Sequence, residues 1–288
     1  MMNNVEKPQL TIPCVMPRFS SVLSLFDGIS CGQIALNKVG IKYDNYFASE
    51  IDKHAIKVTQ TNYPKTIQLG DVTKIKGDNL PKIDLLFGGS PCQSFSSAGK
   101  GAGFNGKSKL FWEYVRVLKE TTPKYFLLEN VVMKKEWEKV ITDALGVEPI
   151  FINSKIVCGA NRPRLYWTNI PNIKQPNDTG VKLIDILENF DFDKEPYIEN
   201  YISNRAINYK TEKFNTLRAG AGSRTRGIGI CNDAGWWRKL SPIECERLQT
   251  VPDNYTKCVS DTQRYKMLGN GWTVDVIAHI FGSLLNGA

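Results

Sequence analysis

The 288-residue sequence predicts an α/β protein: a doubly wound parallel sheet with helices on both faces, followed by a smaller second unit. Three observations carry this. From Val22 to Thr168 short apolar runs alternate with amphipathic stretches, the rhythm of parallel strands joined by crossover helices. The first run ends in a glycine-rich turn that leads directly into a helix. Beyond Pro171 the periodicity fades and Asn, Asp, Lys and Tyr take over, as in a separate and less regular unit.

In chain order the strands are expected at Val22–Phe26, Tyr46–Ser49, Ile83–Phe87, Tyr125–Leu128, Ile150–Asn153 and Leu165–Thr168. Helices fill Gln33–Val39, ended by Gly40, then Lys53–Asn62, ended by Pro64, then Phe111–Thr121 and Lys135–Leu145. A helix over Pro242–Gln249 is marked by Ser241 as N-cap, Pro242 at the first helical position and Glu244 in the first turn. The last helix, Thr273–Leu285, carries Val274, Ile277, Ile280, Phe281 and Leu284 on one face and is expected to pack back on the sheet. These signals divide the chain into a tail (1–19), a sheet unit (20–171), a small unit (172–232) and a return segment (233–288) that completes the first unit.

Composition narrows the function classes. With 42% apolar residues the chain has enough to bury a core. No uncharged stretch approaches the roughly 18 apolar residues of a membrane span, and the first nineteen residues lack a secretory pattern, so a soluble cytoplasmic protein is expected. The seven cysteines are scattered, never in a Cys-x-x-Cys pair, and there are only two histidines, which argues against a disulfide framework or a zinc site. Lys and Arg outnumber Asp and Glu by 37 to 29, which suits a polyanionic partner without requiring one.

The sheet's carboxyl edge is where chemistry is expected. The first strand runs into Phe26-Asp27-Gly28-Ile29-Ser30-Cys31-Gly32, where glycines let the backbone turn tightly against a ligand; an ordinary strand-to-helix turn uses the same residues. Glu50, ending the second strand, is placed to accept the two hydroxyls of a ribose, and Asp71 to meet an adenine amino group, which together describe an adenosine-type cleft. A lone cysteine is usually a small buried apolar group. Cys92 differs in following Gly88-Gly89-Ser90-Pro91 on a polar loop, with a long stretch to Lys109 that has the composition of a lid. Glu129 of Glu129-Asn130-Val131 arrives at the same edge, although a glutamate there could equally cap a helix. Arg162 and Arg164 flank Pro163 just before a strand, so both could extend along this edge, or pair with surface acids.

These motifs, in this order over Val22 to Leu285, resemble the C5-cytosine DNA methyltransferase family. Phe26-Asp27-Gly28 to Gly32 is similar to the first cofactor motif, Pro91-Cys92-Gln93 to the nucleophile loop, and Glu129-Asn130-Val131 to the family's Glu-Asn-Val. Arg162 and Arg164 match the two-arginine motif. Arg238 to Asp253 resembles the segment after target recognition, and Gly269-Asn270-Gly271-Trp272-Thr273-Val274 the last motif. Ala160, standing where bacterial members have Gln, and Trp272 are closer to the animal de novo branch; a compact phage or bacterial enzyme is expected.

The resemblance implies a Rossmann-like methyltransferase sheet and a pocket for S-adenosylmethionine, released as S-adenosylhomocysteine. The pocket would be built from Phe26, Asp27, Gly28, Ile29, Gly32, Glu50, Ile51, Asp71, Val72, Pro91, Asn270, Gly271 and Trp272. It implies Cys92 as nucleophile, with Glu129, Arg162 and Arg164 assisting it, an arginine favouring the thiolate. The partner implied is double-stranded DNA, met by a monomer. Its target base is flipped out of the stack, with 94–109 as the clamp (Ser94, Ser96, Lys100) and a recognition loop from Thr216, Leu217 and Arg218 through Arg224 and Arg226. Arg218 is expected to anchor phosphate, and Arg224 or Arg226 to read a base. An RNA cytosine methyltransferase and a catalytically silent DNA-binding homologue are the alternatives.

Overall fold

A computed structural model describes residues 18–91, 110–188, 207–210, 213–219, 229–233 and 237–285. Cys92, Ser94, Ser96, Lys100, Arg224 and Arg226 lie outside the described residues.

Seven strands form the main sheet, in the order β3-β2-β1-β4-β5-β7-β6. They are β1 (Arg18–Leu25), β2 (Lys42–Ser49), β3 (Ile67–Gln68), β4 (Leu85–Gly89), β5 (Tyr125–Val131), β6 (Ile150–Asn153) and β7 (Pro163–Thr168). Side chains alternate between two buried faces. Val22, Leu85, Phe87 and Leu127 join one core cluster; Leu23, Leu25, Leu86 and Leu128 join the other. The first face is covered by α1 (Cys31–Lys38) and α2 (Lys53–Asn62), the second by α3 (Leu110–Thr121) and α4 (Lys135–Leu145). The doubly wound arrangement is as expected.

The sheet is not wholly parallel. β1 to β5 run the same way, but β7 is antiparallel to both β5 and β6, with Glu129 opposite Tyr166 and Val131 opposite Arg164. β1 also starts at Arg18, with Phe19 only 6% exposed, so the core reaches into the stretch assigned to the tail.

After β7 come α5 (Leu183–Ile186) and a three-stranded sheet of β8 (Ile207–Asn208), β9 (Gly229–Cys231) and β10 (Trp237–Lys239). The small sheet therefore crosses the expected boundary at 232. Its unit is not separate in packing: Leu183, Phe214, Leu217 and Ile230 belong to the same core cluster as Val22 and Phe87.

The chain returns through α6 (Pro242–Leu248), α7 (Asp261–Asn270) and α8 (Val274–Gly282). α6 begins with the expected cap: Ser241 Oγ accepts from Glu244 N at 3.1 Å and Glu244 accepts from Ser241 N at 2.7 Å. α8 packs back on the sheet as its apolar face requires, with the Phe281 ring 5.4 Å from that of Phe87. Among the described residues no helix is long and apolar enough to cross a membrane.

Candidate active site

The strand order reverses between β1 and β4, and a pocket of about 580 Å³ opens there at the carboxyl edge. Of the thirteen residues expected to hold a cofactor, eleven line it; Asp71 and Val72 do not. Asp71 caps a short 3₁₀ turn by accepting from Thr73 N and Oγ1, both at 2.9 Å, and Val72 is buried in the second core cluster.

The turn after β1 is made by three left-handed residues at alternate positions, Phe26 (φ 57), Gly28 (φ 58) and Ser30 (φ 63). Two of them are not glycine, and such strain is kept where a ligand requires the shape. The turn lets Gly28 N donate to Glu50 Oε2 at 2.8 Å, while Glu50 Oε1 accepts from Ile51 N (2.7 Å) and Asp52 N (2.9 Å). A carboxylate offers about four acceptor positions. Three are taken by the chain itself, leaving room for about one outside donor instead of the two expected.

Asp27 is the most perturbed acid of the pocket. Its Oδ1 accepts from Tyr46 Oη (2.8 Å) and Ser30 Oγ (3.2 Å), while Oδ2 is buried with no hydrogen-bond partner among the described residues. Burial pushes its carboxyl up to about 6, against the pull of the Ser24, Tyr46 and Ser30 hydroxyls. Ile51 stands at the pocket with 76% of its surface exposed. An orphaned buried oxygen, a second carboxylate and an unburied apolar side chain fit a ligand that is cationic and carries a flat ring, as S-adenosylmethionine does. Cys31 also lines the pocket, but burial pushes its thiol up to about 12, which keeps it an inert packing group.

At the other end stands Glu129, near the end of β5. Nε of Arg164 lies 2.7 Å from its Oε1, and the Trp272 indole N–H donates to its Oε2 at 3.1 Å. Arg164 reaches this edge only because β7 is antiparallel; in the parallel sheet first expected, the start of β7 would lie at the opposite end. Beside Glu129, the buried Asn130 donates from Nδ2 to Ser90 Oγ at 3.1 Å, and so holds the backbone that leads through Pro91 to Cys92.

Arg162, expected beside the nucleophile, is also a structural brace. It is 5% exposed, and its guanidinium donates to the carbonyls of Leu217 (3.0 Å), Gly269 (3.4 Å) and Gly271 (2.8 Å). These bonds brace the small unit against the last motif, and Arg162 also lines the pocket. Of the expected recognition loop, Thr216, Leu217 and Arg218 lie within the described residues. Leu217 is 1% exposed and so packs in the core instead of facing outward, Thr216 Oγ1 donates to Asn161 O at 2.6 Å, and Arg218 is exposed. A Cβ at Gly269 would stand 2.2 Å from the Arg218 carbonyl carbon, so only glycine admits this close backbone crossing.

Asp52, Lys266 and Met267 also line the pocket and were not foreseen. Asp52 and Lys266 form an ion pair of 2.7 Å at this wall. Two of the three come from α7, whose end in Gly269-Asn270, just before Gly271, was the available signal.

The family model for C-5 cytosine-specific DNA methylases matches residues 20–143 and 161–286 of the chain. The chain is 33% identical over 303 residues to the type II methyltransferase M1.ScrFI of Lactococcus lactis subsp. cremoris, covering 92% of this chain and 77% of that protein. It is 30% identical over 294 residues to the type II methyltransferase M.NlaX of Neisseria lactamica, covering 90% and 94%. Among solved structures, the Entamoeba histolytica methyltransferase EhMeth superposes with a TM-score of 0.77 over 93% of this chain and 98% of that one. At 17% identity that likeness is one of fold.

Proposed function

Because the chain belongs to the C-5 cytosine-specific DNA methylase family, we propose that its pocket holds S-adenosylmethionine and that Cys92 and Glu129 together activate a flipped cytosine of double-stranded DNA. The reaction is methylation of cytosine at C5 in DNA. The observation that carries the residue roles is the convergence of Glu129, the Ser90-Pro91 lead to Cys92 and the Asp27–Glu50 pocket on one sheet edge.

Asp27, Glu50, Ile51 and the turn at Phe26–Gly28 would hold the cofactor, which supplies an electrophilic methyl group when bound. Cytosine C5 is a weak nucleophile, so the ring is first activated by addition of the Cys92 thiolate at C6. Glu129 meets the N3 side of the ring and offsets the negative charge that develops there. Arg164 keeps the Glu129 carboxyl aimed, and Asn130 keeps the start of the cysteine loop in place. Once C5 is methylated, loss of its proton and departure of Cys92 restore the aromatic ring. Residues 172–232 act as the target-recognition unit, with Arg218 on phosphate, and the chain works as a monomer on a short site. The RNA methyltransferase and silent-homologue alternatives draw no support from relatives that are DNA methylases by family.

Bisulfite sequencing of plasmid DNA from cells expressing the chain tests this. The expected result is methylated cytosine at every copy of one short sequence. Unmodified DNA alongside methylated RNA, or no methylation from folded protein that binds the cofactor, would overturn it.

A further inference from the structure

Each oxygen of Glu129 has its own partner: Arg164 Nε forms an ion pair with Oε1, and the Trp272 indole N–H donates to Oε2. The indole is held by its ring and by its backbone. Its ring packs on Phe87 with centroids 5.9 Å apart, its own carbonyl takes a contact from Cys31 Sγ at 3.8 Å, and the preceding Gly271 carbonyl is held by Arg162 (2.8 Å) and Gln249 (3.2 Å). The neighbouring strand leaves a gap for this contact. A Cβ at Gly89 would stand 2.9 Å from the indole nitrogen and 3.0 Å from Glu129 Oε2, so a side chain there would have to push the two apart.

We propose that Trp272, besides walling the cofactor pocket, is a positioning residue for Glu129. Its N–H fixes the plane of the carboxyl and sets how that group holds a proton. An indole N–H and a guanidinium both donate and neither accepts. Any proton that Glu129 gains is therefore turned away from both partners and is offered to the base.

The inference rests on the reading of Glu129 given above, and the test separates the two. Trp272→Phe keeps an aromatic wall and removes the N–H; it is compared with Glu129→Gln and the unaltered chain for methyl transfer to DNA over a range of pH. For Trp272→Phe a roughly tenfold lower kcat is expected, the loss of about one hydrogen bond to a charged group. The pH profile of kcat should differ from that of the unaltered chain, with cofactor Kd and Tm little changed. A Trp272→Phe protein with unaltered kcat and profile, or one changed only in cofactor Kd, overturns the inference while leaving Glu129→Gln impaired. A fully active Glu129→Gln overturns the reading of Glu129 itself. Should Trp272→Phe fold poorly, indole ¹⁵N–H spectra of the unaltered chain decide. One indole signal should move in Glu129→Gln, as expected for an N–H bonded to that carboxylate; indole signals unchanged by the substitution overturn the inference.

Discussion

Asp27→Asn should make the protein more stable and a poorer cofactor binder, and the size of the first effect follows from the pocket. In the folded chain the Asp27 carboxyl titrates at about 6, against 3.8 for the ordinary group, because burial disfavours its charge. Between those values the folded chain binds more protons than the unfolded one, so stability falls as pH rises through this window and levels off above it. Roughly two pH units at about 1.4 kcal/mol each amount to about 3 kcal/mol lost by pH 8. Asparagine carries no charge, and its Oδ1 still accepts from Tyr46 and Ser30. Its amide N–H is a new buried donor, which costs about 1–2 kcal/mol of the gain at every pH. The part that varies with pH is cleaner. The advantage of Asn over Asp should grow by about 2 kcal/mol between pH 4.5 and pH 8, all other titrations being shared. Urea unfolding of both proteins at the two pH values measures it. A difference that does not change with pH would refute the argument that burial, unrelieved at Oδ2, raises this carboxyl.

Glu50→Ala should weaken S-adenosylmethionine binding by about tenfold, near the lower end for a charged hydrogen bond, because the chain already takes three of the carboxylate's acceptor positions; unchanged affinity by calorimetry would remove Glu50 from the cofactor site. Arg162→Met should cost about 3 kcal/mol in chemical unfolding, since it strips partners from the carbonyls of Leu217, Gly269 and Gly271 together; a loss of activity with stability intact would instead return Arg162 to the chemistry. Changing Arg218, Arg224 and Arg226 together to Ala should weaken DNA binding and lower its salt slope by about one for each phosphate that an arginine no longer neutralises. Identical methylation across a range of salt would move recognition elsewhere.

The central strands were legible because burial on both faces writes near-continuous apolar runs such as Ile83–Phe87, and parallel strands bring their ends to one edge. The capping box at Ser241 was legible because it is local chemistry. The direction of β7 was missed, although the segment between Asn153 and Pro163 is shorter than the dozen or more residues a parallel crossover needs. α7 escaped hydrophobic periodicity because its buried face is partly polar: Arg264, 8% exposed, pairs with fully buried Glu246 at 3.1 Å. Leu217 was misplaced because its neighbours are polar and glycine-rich, while the pull that buries it comes from distant elements. Asp71 could serve a ligand or cap its own turn, and the sequence does not distinguish the two.

The most direct test of the account is covalent trapping. DNA carrying 5-fluorocytosine in the methylated site, incubated with the chain and S-adenosylmethionine, should yield a protein–DNA adduct, because fluorine cannot leave C5 as a proton does. Peptide mapping should find the adduct at Cys92, and Cys92→Ser should form none. An active enzyme that forms no adduct, or one attached at any other residue, would contradict the account.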